Sequence, residues 1–402
     1  MSFKNLVKKF IPCFLLNFYH YCLALAGAFL YGFPSRKLTV IGITGTSGKS
    51  TVVELSSKIL QEAGFKVASL SSIKFKIGDK EWENKLKMTM PGRFKIQRFL
   101  SQAVKAGCEY AVLEVTSEGI KQYRHKFIDF NTALLTNLSP EHIEAHGSFE
   151  KYRGAKLQLF KIAKIHIINL DDENAEFFWK IPAEKKIGYQ LKTQNSKLKI
   201  IIQNLKLLGD FNLYNALAAI EVAISQGISL DICGKALEKV EGIPGRMEIV
   251  IKEPFTIIVD YAHTPEALKQ VYESLKGAKL ICVLGACGGG RDKWKRPVMG
   301  KIASQYCDEI IITNEDPYDE NPLKIMEEIE SGFSQIPNSK FQIPKYEKIL
   351  DRRQAIKKAL TWAKPGDVVI ITGKGSEPWM CVGNGKKIPW NDRQIVREEL
   401  RN

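Results

Sequence analysis

Short apolar runs, unbroken by polar positions and bounded by turn residues, recur along the chain at 38–44, 110–115, 132–136 and 165–169. Runs of this kind predict strands buried on both faces, the signature of a parallel sheet. Helical spacing over 50–63, closed by Gly64, follows the first of them. A second block past Pro244-Gly245 repeats the alternation, with strands expected at 256–260, 279–285, 309–313 and 367–372 and helices at 265–275, 321–333, 351–362 and 392–401. The fold class predicted is α/β, with a boundary near residues 240–248 and a doubly wound second domain. The Lys-rich stretch 182–207 breaks both periods and reads as a β-hairpin excursion.

Residues 15–33 form a run dominated by Leu, Ala, Phe and Tyr, about as long as a membrane span. Asn17, His20, Gly27 and Gly32 interrupt it, and Lys4, Lys8, Lys9, Arg36 and Lys37 flank both ends. The pattern favours a helix packed on the body over membrane-surface attachment through residues 10–33, and attachment over a true span. No small-residue cleavage site follows the run, which argues against a cleaved secretory signal.

At 402 residues the chain suits two or three domains, and 45% hydrophobic with 26% charged residues excludes a disordered or fibrous protein. A net charge of +15 suits a polyanionic partner such as a nucleotide, nucleic acid or an acidic membrane surface, and equally a surface whose lysines only keep it soluble. No helix-turn-helix or aromatic RNA-binding motif accompanies it, so a nucleotide is favoured over nucleic acid. The eight cysteines show no CxxC spacing. Neither a zinc site nor a disulfide scaffold is therefore expected, and a reducing cytoplasm is the simpler location.

The first strand runs into Gly45-Thr46-Ser47-Gly48-Lys49-Ser50-Thr51, and a helix follows. Such a loop offers backbone N–H groups and a helix N-terminus to phosphates, Lys49 to the outer phosphates and the Ser50 hydroxyl to magnesium. Position 43 is Ile, so the strict P-loop spacing fails by one residue, with Gly42 beside it. An incidental glycine turn is the weaker reading, because the strand and helix flanks are both present.

The loop and the segments after it resemble the Mur ligase family of ATP-dependent peptide ligases, and within it the enzymes that add the third amino acid to a UDP-linked muramoyl dipeptide. The matching pieces are GITGTSGKS at 42–50, EVTSEG at 114–119, TNLSPEHIEAHG at 136–147, YRGAK at 152–156 and GDFNLYNALAA at 209–219. PGRME at 244–248, DYAHTPEAL at 260–268, GGGRDKWKRPVMG at 288–300 and GKGSE at 373–377 continue the series. The resemblance implies an apolar N-terminal segment at 1–37, a P-loop ATPase domain at 38–245 (the family's central domain) and the family's Rossmann-like C-terminal domain at 246–402. The family also carries a UDP-binding domain ahead of the phosphate loop. Residues 1–44 leave no room for it, so the uridine end of an acceptor is expected to be held elsewhere or left free.

What the resemblance implies for chemistry is transfer of the ATP γ-phosphate to a carboxylate, then attack by an amine on the acyl phosphate. Lys49, Glu114, His142 and Lys156 are the implied catalytic residues. Ser50 and Glu114 would hold one magnesium. His142, where the usual Asp-His reads Glu141-His142, would hold a second with a carbamylated Lys156. Asn215 is the implied adenine contact, and Arg246, Asp260 and His263 are implied to close on ribose and phosphates. Without the motif, Glu114 would read as a solvated strand end, Lys156 as a solvated helix residue and His263 as a structural histidine.

Thr89, Ser117 and Arg124 lie in segments implied to face the muramoyl peptide, and Arg291, Asp316, Gly373 and Glu377 match positions around the incoming amino acid. Diaminopimelate-adding members use an Asp-Asn-Pro-Arg motif, whereas this chain reads Glu315-Asp316-Pro317-Tyr318. A tyrosine cannot pair bidentately with a distal carboxylate. The acidic Glu315, Asp316, Asp319 and Glu320 favour a cationic side chain such as lysine, or are exposed loop charges. Ser376 stands where the family has histidine. Competing readings are a ligase of the same fold with a folate or lipid-linked acceptor, and a nucleotide-binding regulatory protein without catalysis. The muramoyl-type motifs disfavour folate, and Glu114, His142 and Lys156 disfavour the regulator.

Overall fold

The computed structural model describes residues 12–86, 88–192, 196–334 and 343–401. The chain divides into two compact units. The first comprises Met1–Leu138, Glu150–Asn204 and Tyr214–Lys239, and the second Ser139–Phe149, Leu205–Leu213 and Val240–Asn402.

The first unit is built on an eight-stranded sheet of β1 (Thr39–Thr44), β2 (Val67–Leu70), β3 (Lys74–Ile77), β4 (Lys80–Glu83), β5 (Tyr110–Glu114), β6 (Phe130–Leu135), β7 (Ile165–Asn169) and β8 (Lys185–Tyr189). The order is β4-β3-β2-β5-β1-β6-β7-β8. Every pair is parallel except β2 with β3 and β3 with β4. β1 lies centrally, with Ile43 opposite Glu114 of β5 and Thr44 opposite Leu135 of β6. The strand ends that carry the phosphate loop and Glu114 therefore open side by side, at the edge where such sheets bind ligands.

The run at 15–33 forms a helix, Cys13–Leu30. Its Ala24 and Ala28 are buried. Gly27 comes against the backbone of Arg93 and Phe94 in the helix Arg93–Lys105. Tyr21 meets the rings of Tyr123 and Phe127, and His20 bonds Arg93. The favoured expectation, a helix packed on the body, describes this arrangement. Among the described residues, no helix is long and apolar enough to cross a membrane. Residues 1–11, which carry the flanking Lys4, Lys8 and Lys9, lie outside the described residues.

The second unit carries a six-stranded sheet of β9 (Glu248–Ile251), β10 (Thr256–Val259), β11 (Leu280–Leu284), β12 (Glu309–Thr313), β13 (Lys345–Ile349) and β14 (Val368–Ile371). Its order is β13-β12-β11-β14-β10-β9, with β9 antiparallel and the rest parallel. A small hairpin, β15 (Trp379–Cys381) and β16 (Lys387–Pro389), stands apart from the sheet. Period-two side chains feed two cores. Ile258, Cys282, Leu284, Ile310, Ile312 and Ile370 join one cluster, and Ile257, Ile281, Val283, Ile311, Val369 and Ile371 the other. Helices cover both faces, as the doubly wound expectation required.

Two expectations need correction. The stretch 182–207 is no hairpin: β8 pairs parallel to β7, and Ser196–Gln203 is helical. Two of the lysines that obscured its pattern, Lys185 and Lys186, sit on β8 at the sheet edge. Cys282 of β11 and Cys307, at the end of the helix Lys295–Tyr306, form a buried disulfide across a separation of 25. Sequence spacing missed the pair because tertiary packing, not a local turn, brings the two together.

Candidate active site

The loop at 45–51 is fixed by hydrogen bonds to its neighbours in the first unit. Ser47 N donates to Asn137 Oδ1 at 2.9 Å and Thr136 Oγ1 to Ser47 O at 2.7 Å. Thr46 N donates to Asn137 O at 2.9 Å. Gly48 takes the left-handed conformation, φ 82°, at the start of the helix Lys49–Glu62, and a Cβ there would overlap Asn215 Oδ1. Glycine is thus demanded twice, by conformation and by the approach of the residue implied to contact adenine. Asn137 was quoted in the sequence only as part of a motif, and its work on the loop emerges from the structure.

Lys49 Nζ donates to Thr46 O at 2.8 Å and lies 3.9 Å from Glu114 Oε1. Ser50 Oγ donates to Glu114 Oε2 at 2.7 Å, and Ser72 N reaches the same oxygen at 2.9 Å. Lys156, buried in the helix Phe149–Phe160, donates from Nζ to Gly45 O at 2.6 Å and lies 4.6 Å from the Tyr152 ring centroid. Tyr152 OH in turn meets Thr46 Oγ1 at 3.0 Å. Lys49, Ser50, Glu114, Lys156 and Asn215 therefore converge on one loop. Thr51 is buried in the first turn of the following helix.

The hydroxyl and carboxylate oxygens of Ser50 and Glu114 are hard donors, suited to magnesium. Among the described residues there is no cluster of three or more His, Cys, Asp or Glu able to cage a metal ion.

Also in the first unit, Arg124 donates to Met90 O and, at 3.5 Å, to Met88 Sδ. A Cβ on Gly119, in the helix Ser117–Lys121, would overlap Met90 Sδ. Thr89, Ser117 and Arg124 are thereby gathered in one place, with Ser117 buried.

His142 belongs to the second unit. It adopts φ 57° immediately before the short helix Ile143–His146. In the same unit Asp260 is buried and accepts from Met247 N at 2.7 Å and Ala262 N at 2.6 Å. Burial raises its pKa, with Arg246 pulling the other way. The Arg246 guanidinium stands 4.3 Å from the Tyr261 ring centroid. His263 Nδ1 lies 2.8 Å from Tyr261 O, and burial pushes its pKa down to about 3, so the ring is neutral near pH 7.

Around the expected amino-acid positions the organiser is a residue that the sequence reading passed over. Lys374, fully buried, donates to Asp316 Oδ1 at 3.0 Å and Glu377 Oε2 at 2.5 Å. Burial opposes its charge, but Glu377 and Asp316 overrule this and hold its pKa above the ordinary lysine value. Its only sequence signal was its place inside GKGSE. Glu377 Oε1 accepts from Tyr261 OH at 3.0 Å, Gly373 N donates to Asp260 O at 3.1 Å, and Arg291 bonds the Tyr318 side chain. Glu315, also buried, accepts from Cys287 Sγ at 3.0 Å, while its Oε2 has no hydrogen-bond partner. Asp316 and Glu315 are thus not exposed loop charges.

This is a nucleotide-loop protein whose second unit gathers buried acids and cations at the ends of a parallel sheet. Residues 43–223 match the Mur ligase middle domain and residues 245–375 the Mur ligase glutamate ligase domain. The chain is 38% identical to the UDP-N-acetylmuramoyl-L-alanyl-D-glutamate--2,6-diaminopimelate ligase of Syntrophomonas wolfei, over 94% of this chain and 81% of that one. It is 34% identical to the UDP-N-acetylmuramyl-tripeptide synthetase of Roseiflexus sp., over 94% and 81%. A solved UDP-N-acetylmuramoyl-L-alanyl-D-glutamate--2,6-diaminopimelate ligase superposes with a TM-score of 0.58 at 30% identity, covering 90% of this chain and 78% of that one. The chain belongs to the Mur ligase family. More narrowly, it is an ATP-dependent ligase that joins an acid to an amino acid.

Proposed function

We propose that this ligase adds an amino acid to the free carboxylate of a UDP-linked muramoyl dipeptide, a cytoplasmic step in the synthesis of peptidoglycan precursors. The observation that carries the reading is the Lys49, Ser50 and Glu114 constellation on the phosphate loop. The relatives' names supply the acceptor class. Phosphoryl transfer breaks the bond between the β,γ-bridging oxygen and the γ-phosphorus of ATP and forms a bond from a carboxylate oxygen to that phosphorus, releasing ADP. The amine then attacks the acyl carbon, loses a proton, and expels inorganic phosphate as the amide forms.

Lys49 would draw charge from the outer phosphates, and the loop's backbone N–H groups would bind the inner ones. Magnesium, when bound, neutralises phosphate charge as a Lewis acid. Ser50 and Glu114 would hold one ion. His142 and Lys156 would serve a second, provided that Lys156 reacts with CO2 at Nζ to form a carbamate, which exchanges its positive charge for a negative one. Asn215, Arg246, Asp260 and His263 are assigned to the nucleotide, and Thr89, Ser117 and Arg124 to the muramoyl peptide.

Arg291, Asp316, Gly373 and Glu377 are assigned to the incoming amino acid. Lys374 offsets one of the two charges on Asp316 and Glu377, and Glu315 has one oxygen without a hydrogen-bond partner, so the cluster keeps acidic groups for a cationic one. This supports an amino acid with a second amine, a feature that lysine and the diaminopimelate of the relatives' names share. The test is phosphate release with a UDP-muramoyl dipeptide and each of diaminopimelate, lysine, ornithine and alanine. Turnover that depends on one diamine is expected, and equal rates with and without any amine would overturn the reading.

A peripheral membrane contact is proposed in addition. On the helix Cys13–Leu30, Phe14, Phe18, Leu25 and Phe29 are exposed at helical spacing, Phe29 at 77%. Exposed Arg36 and Lys37 follow. An apolar stripe with basic flanks suits an anionic lipid surface.

A further inference from the structure

Two long-range anchors bracket His142 within the second unit. On its C-terminal side, Ile143 N donates to Asp292 Oδ2 at 3.1 Å and Glu144 N to Asp292 Oδ1 at 2.8 Å. Lys293 N returns a bond to Glu144 Oε1 at 2.8 Å. On its N-terminal side, Glu141 Oε1 meets Lys295 Nζ at 3.0 Å, both groups buried. Asp292 itself is 2% exposed, so its two charge-assisted bonds are shielded from water. Between these anchors His142 holds a left-handed conformation, φ 57°, uncommon for a residue other than glycine.

We infer that Asp292 and Lys295 are positioning residues, which fix the turn carrying His142 and tie it to the loop that bears Arg291. The inference rests on the reading of His142 as a magnesium ligand. On that reading Asp292 and Lys295 never touch the ion. They set where its imidazole ligand stands, so they act on metal affinity and on turnover more than on ATP binding. Arg291, the neighbour of Asp292, is assigned to the incoming amino acid, so the clamp gives the amino-acid loop and the metal ligand a common backbone support.

The test uses the full chain with Asp292→Ala, Asp292→Asn, Lys295→Met and His142→Ala. Amide hydrogen exchange at 143 and 144 and Mn2+ binding with a non-hydrolysable ATP analogue, followed by electron paramagnetic resonance, are the readouts. For Asp292→Ala, exchange at both amides should quicken about tenfold or more. The Mn2+ Kd should rise about tenfold or more, with the KM for ATP changed less than about twofold. Asp292→Asn, which keeps one acceptor, should fall between wild type and alanine, and this graded series serves if the alanine variant does not fold. Unchanged exchange at 143 and 144 would overturn the clamp. Faster exchange with an unchanged Mn2+ Kd would overturn the positioning role. A normal Mn2+ Kd in His142→Ala would instead reject the metal-ligand reading, with the exchange data still deciding the clamp.

Discussion

Ser50 Oγ and Glu114 Oε2 stand 2.7 Å apart although 64 positions separate them in the chain. Neighbouring parallel strands make the pairing, since β1 leads into the loop of Ser50 and β5 ends on Glu114. Glu114→Gln keeps the shape and removes the charge, so amine-dependent phosphate release should fall by about 10²–10³-fold with the melting temperature little changed. A variant retaining full turnover would remove Glu114 from the reaction.

Lys156 is 1% exposed and its Nζ reaches only 2.6 Å from Gly45 O, so its charge bears directly on the phosphate loop. If it works as a carbamate, Lys156→Ala should lose turnover by about 10²-fold or more and regain part of it with added formate or acetate. Chloride at the same ionic strength should give no recovery. Full activity of the alanine variant without carboxylate would refute the assignment.

His125 is 2% exposed and neither ring nitrogen has a hydrogen-bond partner. Burial pushes its pKa down to about 4. An unfolded histidine takes up a proton near pH 6.5 while the folded one does not. Stability contributed by the neutral ring is therefore present above pH 6.5 and is lost as pH falls toward 4, by about 3 kcal/mol at most. Denaturant titrations of wild type and His125→Leu between pH 7 and 4 check this. The leucine variant should show the shallower acid slope, and identical slopes would contradict it.

Arg352 and Asp392 form a fully buried bidentate pair, Nε to Oδ1 at 2.9 Å and Nη2 to Oδ2 at 2.7 Å. Trp390 Nε1 also donates to Asp392, and Arg352 Nη2 to Thr372 O. Arg352→Met would leave the carboxylate buried and uncompensated, at a cost of about 3–5 kcal/mol. Replacing both partners by apolar residues should restore much of that loss. Chemical denaturation of the two variants measures the difference.

Exposed Phe18 and Phe29 lie on one stripe of the helix Cys13–Leu30. The full chain is expected to co-sediment with phosphatidylglycerol vesicles, and Phe18→Glu with Phe29→Glu should weaken that binding by about tenfold or more. Neutral phosphatidylcholine vesicles should bind less. Equal sedimentation of the two chains would discard the membrane contact while leaving the ligase reading untouched.

The strands legible in the sequence were those buried on both faces, such as Leu280–Leu284, where an unbroken apolar run leaves no other reading. Lys74–Ile77 and Lys80–Glu83 were not singled out, because each is only four residues long and rich in charge, too short a run to announce a strand. The phosphate loop was legible because its residues are contiguous. Asp292 and Lys374 were not, since their partners lie far along the chain or are themselves charged, and no local pattern announces such a match. Tyr318 was noted as a departure, but its bond to Arg291 required the fold.

The second unit claims Ser139–Phe149 and Leu205–Leu213 from amid the sequence of the first. Leu208 and Phe211 pack on its hydrophobic core. No single cut can therefore release it intact: a fragment starting at Val240 would lack both borrowed pieces and bare apolar surface in their place. On the ribosome, those pieces are synthesised well before the body that receives them and must wait for it. Modular exchange of this unit between proteins would have to carry three separate stretches of gene at once.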